Sequence, residues 1–166
     1  MPTILVMTKQ TLVRGYKHTQ FGTAITTAMV IMFGILIGLG CFVAHQFFIT
    51  APLLLLVAWL FGSLTIEIGE RDLRWHFGPG LIHKNVLLSD IVSAIPVRTT
   101  VLNGWGIHLT GYGWLYNVSG FDAVALTLRN GKSFALGTDE PQKLVAELTG
   151  VIQQNQKTGF SISSNT

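Results

Sequence analysis

"NGKSFALGTDEPQKLVAEL" occupies residues 130–148, and its reading decides the fold. Asn130-Gly131 is the strongest short hairpin signal in the chain, because Asn-Gly suits a type I′ turn. The pair stands between two alternating apolar runs, "AVALTLR" and "KSFALGT", which read as the two strands of that hairpin. Thr138 or Asp139 then offers an N-cap, and Pro141 falls in the first turn of a helix. Leu144, Val145, Leu148, Val151 and Ile152 recur at helical spacing, which predicts an amphipathic helix with one face on a core.

The period-two pattern extends upstream. "LTIEI" and "LRWHF" alternate, with "GERD" as the turn between them. "GPG" at 78–80 breaks the chain and "LIHKNVLL" restarts it. "IVSAIPV" is a further strand, with Pro96 marking an edge or an end. "GIHLT" and "WLYNVS" flank "GYG", a glycine-based reversal. The expectation is about seven short antiparallel strands from residue 64 onward, closed by the C-terminal helix.

The other half of the chain is of a different kind. Only 11% of the 166 residues are charged and the mean hydropathy is +0.49, against about a quarter charged in an ordinary soluble domain. Between Lys17 and Glu67 only His18 and His45 can carry charge. A spanning helix needs roughly 20 mostly apolar residues. Residues 21–44 meet that length and residues 47–64 are shorter but still long enough, with His45-Gln46 as the polar turn and Thr50 and Pro52 opening the second helix. Two antiparallel transmembrane helices are predicted. The apolar run exceeds a signal-peptide core. Cys41 is the only cysteine, so there is neither an internal disulfide nor a Cys cluster for zinc.

Charge placement predicts orientation and excludes one class of partner. Lys9, Arg14 and Lys17 precede the first apolar helix, Arg71 and Arg74 follow the second, and the loop between has neither Lys nor Arg. Basic residues near span ends stay cytoplasmic, so both termini are expected there. From Glu67 onward acids and bases are equal in number, and the net +3 belongs wholly to the N-terminal tail. A neutral domain without a basic stripe argues against nucleic acid. The expected partners are the lipid bilayer and another membrane protein or a second copy.

Seven antiparallel strands closed by an amphipathic helix is the order of a pleckstrin-homology-like domain. "LTIEI…LRWHFGPG", "GWGI", "YNVSG" and above all "GKSFALGTDEPQKLVAEL" resemble the bacterial pleckstrin-homology-like domains that follow a two-helix membrane hairpin. The family often carries Arg after "GWGI", where this chain has His108. The resemblance covers just over half the chain, and its motifs are structural rather than catalytic. It implies an α+β fold: a cytoplasmic basic tail at 1–20, a transmembrane α-hairpin at 21–63, a pleckstrin-homology-like domain at 64–155 and a flexible tail at 156–166. It further implies a multi-pass protein of the bacterial inner membrane.

Candidate sites follow from these placements. The uncharged stretch "NGWGIHLTGYGWLYNVSG", residues 103–120, brings Trp105, His108, Trp114 and Tyr116 together as an interaction face. Trp114 and Tyr116 share one side of a strand; with Leu115 and Val124 in the core, both are expected to be exposed. Asn117 opens an N-glycosylation triplet that has no meaning on a cytoplasmic face. Lys9, Arg14, Lys17, Arg71 and Arg74 are candidates for lipid headgroups. Gly34, Gly38, Ala58 and Gly62 form small-xxx-small pairs suited to close helix packing. His76, His83 and His108 lie on separate strands without metal-ligand spacing, and no cofactor is expected. The expected function is binding, as an adaptor, scaffold or accessory subunit. The alternatives are a membrane enzyme using His108, Asp122 or Glu67, and an anionic-lipid sensor.

Overall fold

The computed structural model describes residues 15–42, 47–100 and 106–163. The fold is α+β: among the described residues there are nine strands in two sheets, an N-terminal pair of helices and a C-terminal helix. The first correction comes at once. Tyr16–Phe21 is a strand, β1, and not the end of a tail. Two helices follow, α1 (Thr23–Phe42) and α2 (Phe47–Phe61). The chain then returns as β2 (Ser63–Ile68), which pairs antiparallel with β1 along its whole length, Tyr16 opposite Ile68 and Phe21 opposite Ser63. The helical pair is thus inserted at the end of a two-stranded ladder. Gly22 N–H donates to the Gly62 carbonyl (2.8 Å), one step beyond the last strand pair. Helix α2 starts at Phe47, so Pro52 lies inside it rather than in its first turn. His45 lies outside the described residues.

β3 (Asp72–Phe77) and β4 (Ile82–Leu87) complete a four-stranded sheet in the order β1-β2-β3-β4. A 3-10 turn at Leu88–Asp90 leads to the second sheet. Its strands are β5 (Ile91–Arg98), β6 (Gly106–Thr110), β7 (Gly113–Asn117), β8 (Asp122–Leu128) and β9 (Ser133–Gly137), in the order β5-β8-β9-β7-β6. β7 pairs parallel with β9, which corrects the all-antiparallel expectation. Set aside the β6–β7 hairpin, and two antiparallel meanders of four and three strands remain, followed by a helix. That arrangement is compatible with a pleckstrin-homology-like fold, with its first strand on the far side of the helical pair.

The Asn130-Gly131 hairpin forms, but with a different turn. Only Gly131 has positive φ, +79°, and Asn130 does not, so the loop is not type I′. Gly131 N–H reaches the Leu128 carbonyl (3.0 Å) and Leu128 N–H the Lys132 carbonyl (2.8 Å). This is the three-residue loop that ends in a left-handed glycine. Asn130 Oδ1 serves it by accepting from Lys132 N–H (3.0 Å).

The core lies between the sheets. Leu64, Ile66, Leu73, Trp75 and Phe77 from the first meet Tyr116, Val124, Leu126, Phe134 and Leu136 from the second. Trp75 stacks on Phe134 (4.9 Å) and meets the Tyr116 ring edge-on (5.4 Å). α3 (Pro141–Ser163) packs on β5 and β8 and sends Leu144 and Leu148, both fully buried, into this core. Val145, Val151 and Ile152 pack against it as expected. The helix runs on to Ser163, through most of the segment expected to be a loose tail. Its entrance is set by Thr138, whose Oγ1 accepts from Glu140 N–H (3.1 Å), while Asp139 turns to His18 Nε2 (2.5 Å).

Tyr16 couples β1 to that entrance. Its hydroxyl is buried without a partner of hydrogen-bonding geometry. Burial first, and the nearby Glu140 carboxylate second, push the phenol up to about 12, and Thr138 offsets only part of this. The folded state therefore holds the proton more tightly than the unfolded chain, whose tyrosine titrates near its model value of 10.0. The associated stability is complete below pH 10 and is lost as pH rises through 10 toward 12. Tyr16→Phe is expected to remove about 1–2 kcal/mol of that alkaline loss while leaving stability at pH 7 unchanged or raised, since an unpaired buried hydroxyl disappears. Urea unfolding at pH 7, 10 and 11.5 measures it; equal alkaline sensitivity in both proteins contradicts the assignment.

Candidate functional site

The β6–β7 hairpin is where the expected interaction face is to be sought. Thr110 and Gly113 close a two-residue loop. Thr110 Oγ1 pins it, donating to the Gly113 carbonyl (2.9 Å) and accepting from Tyr112 N–H (3.2 Å). Gly113 has φ +87°, and a Cβ there would run into the Ser133 backbone. The glycine is what lets β7 lie beside β9. At the other end Asn117, wholly buried, donates from Nδ2 to the Gly120 carbonyl and accepts at Oδ1 from Ser119 N–H, both at 3.1 Å. The asparagine of "NVS" is a loop organiser with no exposed surface.

The structure divides the aromatic pair. Trp114 is 50% exposed, but Tyr116 is 4% exposed and belongs to the core, with the Lys84 ammonium 5.5 Å from its ring centre. The expectation that both are exposed fails because Leu115 and Val124 do not share a face. Tyr116, Leu136 and Val124 form one cross-strand row, and Leu115, Ala135 and Ala125 the next. Leu115 is fully buried in a second, small cluster with Ala123, Ala125 and Ala135 on the other side of the sheet. β7 is therefore buried on both faces at its centre, which a two-way alternation cannot foresee. The exposed apolar groups beside Trp114 are Ile107, Leu109 and Tyr112. The alternation of "GIHLT" places Ile107 and Leu109 together, a signal available in the sequence but not used. Trp105 lies outside the described residues. His108 points to the Leu115 side, and its Nε2 is buried without a partner.

The outer face of the first sheet carries the polar groups. A groove of about 470 Å³ is lined by Glu67, Asp72, Arg74, His76, His83 and Asn85 among others. His76 and His83 are direct cross-strand neighbours; His108 is on the other sheet, so the three histidines do not converge. His83 Nδ1 is bonded to the Gly80 carbonyl (3.1 Å). Among the described residues no group of three or more His, Cys, Asp or Glu is placed to hold a metal. Glu67 pairs with Lys17 (2.5 Å). Arg74 pairs with Asp72, whose hydrogen bond first and charge second raise the guanidinium pKa further. Asp122 stands 4.0 Å from Arg98 at the start of β8. Glu67 thus lies on the first sheet, and His108 and Asp122 on the second.

Two further placements depart from expectation. Arg71 lies in the β2–β3 turn, at the end of the sheet opposite the one where the helices leave, and Arg74 is close to it. Six strand residues separate that end from the helices, about 20 Å, so neither arginine is beside the helical pair. Lys9 and Arg14 lie outside the described residues. In α1, a Cβ on Gly34 or Gly38 would meet nothing within 4 Å among the described residues. Gly62 is the close one, with a Cβ position 3.6 Å from Thr26 Oγ1, where the helices meet the sheet beside Ala58.

No family model matches the chain, and neither curated proteins nor solved structures include a significant match.

The divided aromatic pair is directly testable. Trp114→Ser is expected to leave the thermal midpoint within about 2 °C, as surface changes usually do. Tyr116→Ser is expected to cost about 3–5 kcal/mol and to unfold or nearly unfold the domain. Circular dichroism melts of both variants decide it; equal melts would place both rings in the same environment and contradict the division.

Proposed function

We propose that this chain is a membrane-anchored, non-catalytic binding module of pleckstrin-homology-like architecture. It serves as an adaptor, scaffold or accessory subunit of a membrane protein complex, at a bacterial inner membrane with both termini cytoplasmic. Among the described residues no helix meets the combined length and apolar requirement for crossing a membrane. α1 is 20 residues long and α2 15, about 30 and 22 Å of helix. Support for membrane insertion comes from the surface. Val30, Ile31, Met32 and Ile35 on α1 and Leu53, Leu55, Leu56 and Trp59 on α2 are exposed, with no Lys, Arg, Asp or Glu in either helix. An apolar surface of that extent marks a membrane or protein contact. The hairpin returns the chain to its starting side, where Phe21 pairs with Ser63.

The observation that carries the binding reading is the edge of β6. Among the described residues β6 has a neighbour on one side only. The other three sheet edges carry guards of the usual kinds: β1 has Lys17 and His18, β4 has His83 and Lys84, and β5 has Pro96 and a register shift near Ile91. β6 has no lysine, proline or register shift, its His108 has a buried Nε2, and no Lys, Arg, Asp or Glu occurs between Arg98 and Asp122. Counting from the closing pair Thr110–Gly113, the bonded pairs of the hairpin are 110/113, 108/115 and 106/117. The N–H and C=O groups of Ile107 and Leu109 consequently point outward. An uncharged extended segment of a partner is the ligand such an edge takes, by strand addition. A second copy in the same membrane fits poorly. A two-fold axis along the membrane normal would set Ile107 against Ile107, donor facing donor.

Two experiments test this. Cysteines at Thr3 and Ser164, in a Cys41→Ala background, should resist membrane-impermeant maleimide in intact cells; rapid labelling of either overturns the orientation. A photo-crosslinking residue at Leu109 should join one membrane protein through an uncharged stretch in native membranes, while the same residue at Asn85 should not. Ile107→Pro, which removes an outward N–H and no hairpin bond, should abolish the crosslink. Crosslinking that is equal at both sites, or indifferent to the proline, counts against the edge.

A further inference from the structure

The turn between β3 and β4 is built against the base of the helical pair. Gly78 N–H donates to the Ser63 carbonyl (2.9 Å) and Gly80 N–H to the Phe77 carbonyl (2.8 Å). Gly78 has φ +44°, and a Cβ there would collide with the carbonyls of Trp59 and Leu60 at the end of α2. The turn therefore sits at the level of the last turn of that helix. It presents Leu81, 70% exposed. At the same end Phe21 is 68% exposed and Trp59 is 59% exposed, and both line the groove at the foot of the two helices. Three large apolar side chains thus stand uncovered where the sandwich meets the hairpin, and the turn itself, Gly-Pro-Gly-Leu, carries no charge.

We infer that this end of the sandwich is seated in the lipid interface, with Leu81 inserted beside Phe21 and Trp59 as a contact additional to the two helices. The inference rests on the membrane reading proposed above. Three features select lipid as the occupant. The patch is continuous with the exposed apolar surface of α1 and α2. It contains no charged group and is met by a tryptophan one turn from a helix end, the position that aromatic side chains favour at a membrane boundary. The Gly22–Gly62 bond and the Gly78–Ser63 bond leave no free linker between the β3–β4 turn and the base of the helices.

The test is a depth measurement on the full chain. In a Cys41→Ala background, Val30→Cys, Leu81→Cys and Leu87→Cys are each spin-labelled and reconstituted in vesicles of phosphatidylcholine and phosphatidylglycerol. Collision with oxygen and with a water-soluble nickel chelate is then compared. Leu87 is also exposed but ends β4 at the far end of the sheet. The expected result is strong nickel contact at 87, almost none at 30, and a several-fold loss at 81 relative to 87. If 30 is shielded while 81 meets nickel as freely as 87, the seated turn is overturned and the membrane anchor stands. If 30 itself meets nickel freely, the anchor fails and the seat fails with it.

Discussion

The hydrogen bond from Gly22 to Gly62, 2.8 Å long, is the constraint on which the rest of the molecule depends. It continues the β1–β2 ladder by one step and so joins the residues just before α1 to those just after α2. Both must be close-packed there. A Cβ on Gly22 would lie 3.0 Å from the Val118 carbonyl and 2.9 Å from Ile25. The helical pair is therefore an excursion from the tip of a β-hairpin, not a separate anchor on a tether. Whatever holds the helices also fixes the orientation of the first sheet. Through the aromatic stack of Trp75, Phe134 and Tyr116, it fixes the second as well.

From that joint the two ends of the sandwich differ in character. The helix end gathers Phe21, Trp59, Leu81 and the start of β6, all uncharged. A gap of about 280 Å³ there is lined by Ile25, Val57, Phe61, Ile107 and Val118. The opposite end carries Arg71 and, nearby, the Asp72–Arg74 pair. β6 runs from the first end toward the second, so its open edge begins beside the helices. A partner strand added to that edge would begin at the same level. This geometry suits a segment close to a membrane span of the partner better than one reaching in from a distant domain.

Much of this was legible in residue order, and the failures have local causes. The strand pattern from residue 63, the 130–131 hairpin and the apolar stripe of α3 all follow from alternation, turn chemistry and helical spacing, because each is decided within about ten residues. β1 was not legible. "YKHTQF" has a charge, a histidine and a glutamine, and becomes a strand only because β2, more than forty residues later, supplies its ladder and Asp139 takes up His18. The parallel β7–β9 pair depends on a glycine, Gly113, whose need is set by Ser133. Tyr116 and Trp114 share a parity but not an environment, since the core ends between them. Burial on both faces at Leu115 comes from small residues on two other strands, Ala125 and Ala135, and no window around residue 115 contains them.

Charge shows why the hairpin edge stands apart from the remainder of the surface. Three of the described ion pairs, Lys17–Glu67, Arg98–Asp122 and Lys143–Glu140, are half or more exposed on the basic side and contribute little to stability individually; in a fourth, an exposed Arg74 meets a buried Asp72. Their effect is to neutralise the faces they occupy. The outer face of the first sheet, despite its groove and its two adjacent histidines, offers acids and bases that are already matched to each other. β6 and β7 have no such pairs because they have no charges to match. On the binding reading proposed above, recognition there would rest on ladder hydrogen bonds and apolar area around Leu109 and Trp114. Neither is screened by salt as a charged surface is, so under that reading partner choice would fall to strand register and side-chain shape.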